Sequence, residues 1–122
     1  MTTILIVEDN PSHMKLATLL VRRFGYEVLG AADAVEGLRL ARARHPDLIL
    51  MDIQLPGMDG LAATRELKRD AATRDIPVIA VTAYLAEHSE KEVHAAGCAG
   101  FIAKPYHHAE LLAAVKAALG ER

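Results

Sequence analysis

Short apolar runs alternate along the chain with stretches in which apolar residues return every three or four positions. Ile4-Leu5-Ile6-Val7, Leu48-Ile49-Leu50-Met51, Val78-Ile79-Ala80-Val81 and Phe101-Ile102-Ala103 are apolar throughout. Such runs predict strands covered on both faces, as in a parallel sheet. Repeated alternation of strand and helix patterns is the signature of βαβ units and of an α/β fold. Strands are predicted over about Thr3–Val7, Glu27–Gly30, Leu48–Met51, Pro77–Val81 and Phe101–Ala103. Helices are predicted over Pro11–Phe24, Ala34–Arg44, a span ending near Arg69, Ala86–Ala96, and a last segment carrying Leu111, Leu112, Val115 and Leu119 before Gly120.

Punctuation between these patterns agrees with them. Asn10 is a favoured N-cap and Pro11 a favoured first helical residue, while Ala17, Leu20, Val21 and Phe24 form the first helix's core stripe. Gly25 stops that helix, and His45-Pro46 closes the second. The fourth helix is the least apolar, with Glu87, His88, Glu90, Lys91, Glu92 and His94. Its composition alone reads as a solvated helix covering a sheet edge.

A length of 122 residues predicts one domain large enough to bury a core without staples. With 52% hydrophobic and 25% charged residues the chain is too apolar for disorder. A net charge of -2 gives no electrostatic reason to expect a nucleic-acid or membrane partner. Cys98 is the one cysteine, so no internal disulfide forms; it reads as a small buried filler in a reducing compartment. No basic-then-apolar leader and no membrane-length apolar stretch is visible, so the expectation is a cytoplasmic protein. Met1 and the close at Gly120-Glu121-Arg122 fit a complete small protein.

Four strand runs stop at chemistry: Glu8-Asp9, Asp52, Thr82 and Lys104-Pro105. The crevice of a parallel sheet lies at the carboxyl ends of its strands, so side-by-side strands would gather three carboxylates, a hydroxyl and an ammonium at one rim. Crowded carboxylates repel and imply either a proton or a bound cation. Hard oxygen ligands without nearby Cys or His favour magnesium. The plainer reading of Glu8-Asp9 is dipole compensation for the first helix, worth about 0.3–1 kcal/mol, but Asn10 already supplies the cap. Asp52 could simply open a solvated loop. It could instead be a nucleophile that forms an acyl phosphate, which needs a metal, a positive charge and a hydroxyl around the phosphoryl oxygens. Lys104 and Thr82 supply the last two, so phosphoryl transfer to Asp52 is the economical reading. The six histidines stand in no metal motif.

Ile4-Leu5-Ile6-Val7-Glu8-Asp9-Asn10, Leu48-Ile49-Leu50-Met51-Asp52-Ile53-Gln54-Leu55-Pro56, Met58-Asp59-Gly60, Val81-Thr82-Ala83 and Lys104-Pro105 together resemble the receiver domain of two-component response regulators. The match is in register over essentially the whole chain, residues 1–122. The resemblance implies a flavodoxin-like (βα)5 three-layer sandwich with a parallel sheet of order 2-1-3-4-5. It implies that Asp52 accepts a phosphoryl group from a phosphohistidine of a sensor histidine kinase or phosphotransfer protein. It assigns magnesium to Asp9, Asp52 and the backbone carbonyl of Gln54, with Glu8 acting through water. Lys104 would contact the phosphoryl group, Thr82 would move to bond it, and the Lys104–Pro105 peptide would be cis. Phe101 occupies the position of a rotamer-switching aromatic but has no hydroxyl. Gln54 and Tyr84 stand where the family tunes autodephosphorylation.

The resulting expectation is a stand-alone receiver, a monomer or weak dimer. It would dock downstream proteins through its fourth helix, fifth strand and fifth helix, with no activity beyond autocatalysed phosphotransfer and autodephosphorylation. Single-domain regulators of the cell cycle and cell division are the most similar members; a chemotaxis regulator or a hybrid-kinase receiver is the alternative. An aspartate-nucleophile phosphatase needs a second acid two positions after the nucleophile, where this chain has Gln54. A flavodoxin-like electron carrier needs a phosphate-binding loop after the first strand, where Glu8-Asp9-Asn10-Pro11 would repel phosphate.

Overall fold

Strand side chains alternate between faces, so an apolar strand feeds two cores at once. The computed structural model, which describes residues 1–83 and 90–121, uses every apolar run this way. Five parallel strands alternate with five helices among the described residues: β1 (Thr3–Val7), α1 (Pro11–Arg23), β2 (Glu27–Ala31), α2 (Ala34–Arg44), β3 (Leu48–Asp52), α3 (Gly60–Arg69), β4 (Val78–Thr82), α4 (Glu90–Ala95), β5 (Gly100–Ala103) and α5 (His108–Leu119). The sheet order is β2-β1-β3-β4-β5, as the resemblance implied.

One core joins Leu5, Val7, Ile49, Met51, Val78 and Ala80 to residues of α2, α3 and α4. The other joins Ile4, Ile6, Leu48, Leu50, Ile79, Val81 and Ile102 to α1 and α5 through Ala17, Val21, Leu111 and Val115. Three layers result, with β3 and β4 buried along their whole length.

Element bounds differ from the expectation mainly at strand ends. β3 and β4 each run one residue further than their apolar stretch and take in Asp52 and Thr82, because the ladder pairs Asp52 with Val81 and Thr82 with Ala103. Phe24 caps α1 instead of closing it, and Gly25 follows at φ +99°, a conformation that favours glycine. Leu20 and Phe24 of the predicted stripe are partly buried. Cys98 is buried, with Sγ 3.9 Å from Thr64 Oγ1. The predicted start of the fourth helix at Ala86, with Tyr84, Glu87 and His88, lies outside the described residues.

Candidate functional site

Parallel pairing sends every strand's carboxyl end to one rim, and alternation decides which side of the sheet each terminal residue takes. Glu8 follows Ile4 and Ile6 in parity, Asp52 follows Leu48 and Leu50, and Lys104 follows Ile102, all on the α1/α5 side. Val7 pairs with Met51, so Glu8 and Asp52 come one step later on adjacent strands. Thr82 follows Val78 and Ala80, and so shares the opposite face with Phe101, which packs there partly buried. The backbone joins the two faces: the Lys104 N–H donates to the Thr82 carbonyl at 2.7 Å.

Glu8, Asp9 and Asp52 each offer a carboxylate oxygen, and these lie within 4.8 Å of one another. Glu8 and Asp52 are buried, whereas Asp9 is exposed at the rim. An all-oxygen donor set of this spacing fits a hard divalent cation. Lys104, 13% exposed, bonds Glu8 Oε1 through Nζ, which stands 3.6 Å from Asp52 Oδ2. The Gln54 N–H donates to Asp52 Oδ1 at 2.9 Å, and the Asn10 N–H donates to Glu8 at 3.1 Å.

These contacts separate the two buried acids. Burial, a hydrogen bond with Glu8 and the Glu8 charge push Asp52 up to about 6, against the opposing pull of the Gln54 N–H and Lys104. Burial also opposes ionisation of Glu8. The bonds from Lys104, Asp52 and the Asn10 N–H outweigh it, and Glu8 is held below the ordinary glutamate value. Asp52 is therefore the acid whose charge awaits compensation.

The loops that carry the site are fixed by caps. Asn10 Oδ1 accepts from the Ser12 and His13 N–H groups, which starts α1 directly after Asp9. Asp59 caps α3 through the Ala62 N–H, and the Gly60 N–H donates back to the Ile53 carbonyl at 2.9 Å. A Cβ on Gly60 would collide with the Asp52 carbonyl oxygen, so only glycine lets α3 begin this close to β3. The Lys104–Pro105 peptide is cis.

Sequence reasoning missed two neighbours. His13 Nδ1 lies 3.1 Å from Lys104 Nζ, and Tyr106 lines the small cavity beneath Glu8 and Asp52. His13 lies in the first turn of α1, three residues beyond the Asn10 cap, a place that brings it near the strand ends but does not mark its contact with Lys104. Above the site an open groove of about 440 Å³ is lined by His13, Leu16, Ala83, Lys104, Pro105 and Tyr106.

Residues 4–116 match the family described as the response regulator receiver domain. The chain is 44% identical to the polar-differentiation response regulator DivK of Brucella ovis, over 98% of this chain and 97% of that protein. Among solved structures, it resembles the receiver domain of the sensor histidine kinase PA1611 of Pseudomonas aeruginosa, which carries a magnesium ion coordinated in its active-site cleft. That match has a TM-score of 0.91 and 36% identity, covering 98% of both chains. The Vibrio cholerae chemotaxis protein CheY4 matches with a TM-score of 0.91 and 27% identity, over 98% of this chain and 99% of that one.

Proposed function

Because the chain belongs to the response regulator receiver family, we propose that it is a signalling switch whose Asp52 accepts a phosphoryl group from a phosphohistidine donor. One observation carries the reading: a buried carboxylate with a raised pKa faces a lysine ammonium at 3.6 Å and two further acids at one strand rim.

The chemistry follows from those groups. With Oδ1 held by the Gln54 N–H, Oδ2 on the Lys104 side attacks phosphorus. The P–O bond forms as the P–N bond of the donor breaks, and the departing imidazole takes up a proton. Lys104 offers its charge to the phosphoryl oxygens, and its backbone link to Thr82 lets the hydroxyl-bearing strand end respond. Asp9, Asp52 and the Gln54 carbonyl would hold magnesium, with Glu8 reached through water. When bound, the ion neutralises the charge of both the carboxylates and the phosphoryl group. Hydrolysis, with water breaking the acyl phosphate, returns Asp52 and free phosphate.

The donor is a sensor histidine kinase or a phosphotransfer protein. The output is docking of a downstream protein, biased by the α4–β5–α5 face. Thr82 and Phe101 share the sheet face that packs α4 and so connect the site to that surface. Incubation with a small acyl phosphodonor and magnesium should label Asp52, and D52N should take up none. Equal label in that variant would move the acceptor elsewhere.

A further inference from the structure

An ammonium has three N–H bonds, and among the described residues three acceptors face Lys104. Glu8 Oε1 takes one, Asp52 Oδ2 stands at 3.6 Å, and His13 Nδ1 lies at 3.1 Å. An ammonium only donates, so the contact with His13 is a hydrogen bond only when Nδ1 presents its lone pair and Nε2 carries the ring proton. The other tautomer would aim an N–H at a cation, with Glu8 Oε1 3.8 Å away and too distant to accept it.

His13 is held for this contact. Its backbone N–H donates to Asn10 Oδ1 at 3.2 Å, so the cap that starts α1 also fixes where the imidazole begins. The ring is half exposed. Without it, the described partners of the ammonium would lie on the carboxylate side alone, at the wall of the open groove.

We propose that His13 is a positioning residue for Lys104: its Nδ1 takes the third N–H of the ammonium and keeps the cation facing Asp52 until a phosphoryl oxygen replaces the imidazole. This rests on the reading of Asp52 as phosphoryl acceptor. An anionic oxygen attracts the ammonium by its charge as well as through the hydrogen bond, whereas a neutral imidazole offers only a lone pair. His13 is therefore the partner Lys104 gives up when an anionic oxygen arrives, while the bond to Glu8 persists. The imidazole is a placeholder that keeps the cation aimed at Asp52.

The test compares the rate of Asp52 labelling by acetyl phosphate with magnesium in wild type, His13→Ala, His13→Phe and His13→Asn. Asparagine restores an acceptor oxygen on the branch where Nδ1 stands; phenylalanine restores the ring without an acceptor. Loss of aim should slow the alanine and phenylalanine variants about 3- to 10-fold and leave asparagine within about twofold of wild type. A phenylalanine variant at the wild-type rate, or an asparagine variant as slow as alanine, overturns the proposal while the acceptor reading stands. Absence of label in wild type overturns the acceptor reading itself. Nitrogen-15 spectra of unphosphorylated protein give an independent arm: His13 should show the Nε2–H tautomer and lose that preference in Lys104→Met. Unchanged imidazole signals in that variant overturn the proposal whatever the labelling shows.

Discussion

The Lys104 ammonium stands 3.6 Å from Oδ2 of Asp52, beyond hydrogen-bond reach, because Glu8 holds it closer. One cation therefore serves two buried acids unequally, and the acid left short is the one assigned the chemistry.

That inequality has a pH signature. Asp52 is raised from an ordinary value of 3.8 to about 6, so between those values the native protein keeps a proton that the unfolded chain has lost. Stability present below about pH 4 is lost as pH rises through 6, by roughly 1–3 kcal/mol. In metal-free buffer D52N should be more stable than wild type by about that amount near pH 7.5, with the gap closing near pH 4. Urea midpoints at the two pH values check this; a gap independent of pH would show that Asp52 ionises in the native protein as readily as in the unfolded chain.

Magnesium should reverse the penalty. At 100 times its dissociation constant, a ligand that binds only the folded state adds about 2.7 kcal/mol. Wild type should gain melting temperature with added magnesium, and Asp9→Ala should lose most of that gain, since Asp9 is the exposed oxygen donor of the cluster. A full magnesium response in Asp9→Ala would remove Asp9 from the ligand set.

Gly60→Ala tests the approach of α3 to β3. Its Cβ would meet the Asp52 carbonyl and come within 2.8 Å of Ile53 Cα, backbone atoms that a side-chain rotation cannot move aside. A loss of roughly 2–3 kcal/mol is expected, together with slower phosphoryl uptake because the displaced segment carries Asp52 and the Gln54 N–H. Chemical denaturation and labelling read the two effects separately.

Asn10→Ala removes an oxygen that accepts from the Ser12 and His13 N–H groups. The cost should be about 1 kcal/mol in unfolding free energy. Asn10→Asp should recover most of it, since the cap needs only the acceptor.

Much of the fold was legible because a strand buried on both faces has no choice of composition: Leu48 to Met51 is apolar without interruption, and so is Ile4 to Val7. Polar residues that end such strands stand out for the same reason, which made Glu8, Asp9, Asp52, Thr82 and Lys104 visible as a group. Strand ends were less legible, because apolar pattern stops where burial stops while the ladder continues through Asp52 and Thr82. The separation of Thr82 and Phe101 from the acids was readable from strand parity once the register was known. His13 was hidden for a different reason. Its contact with Lys104 depends on how α1 lies over the rim, and no local pattern encodes a crossing between distant segments.

Glu8 and Lys104 lie 96 positions apart in the chain. Protein synthesis delivers residues from the amino end, so all three acids emerge from the ribosome long before the cation that faces them. A chain ending before β5 has all three carboxylates but lacks the ammonium that bonds Glu8. Charge compensation of the acidic rim is therefore among the last contacts a growing chain can make, since it waits for β5 to place Lys104 beside Glu8.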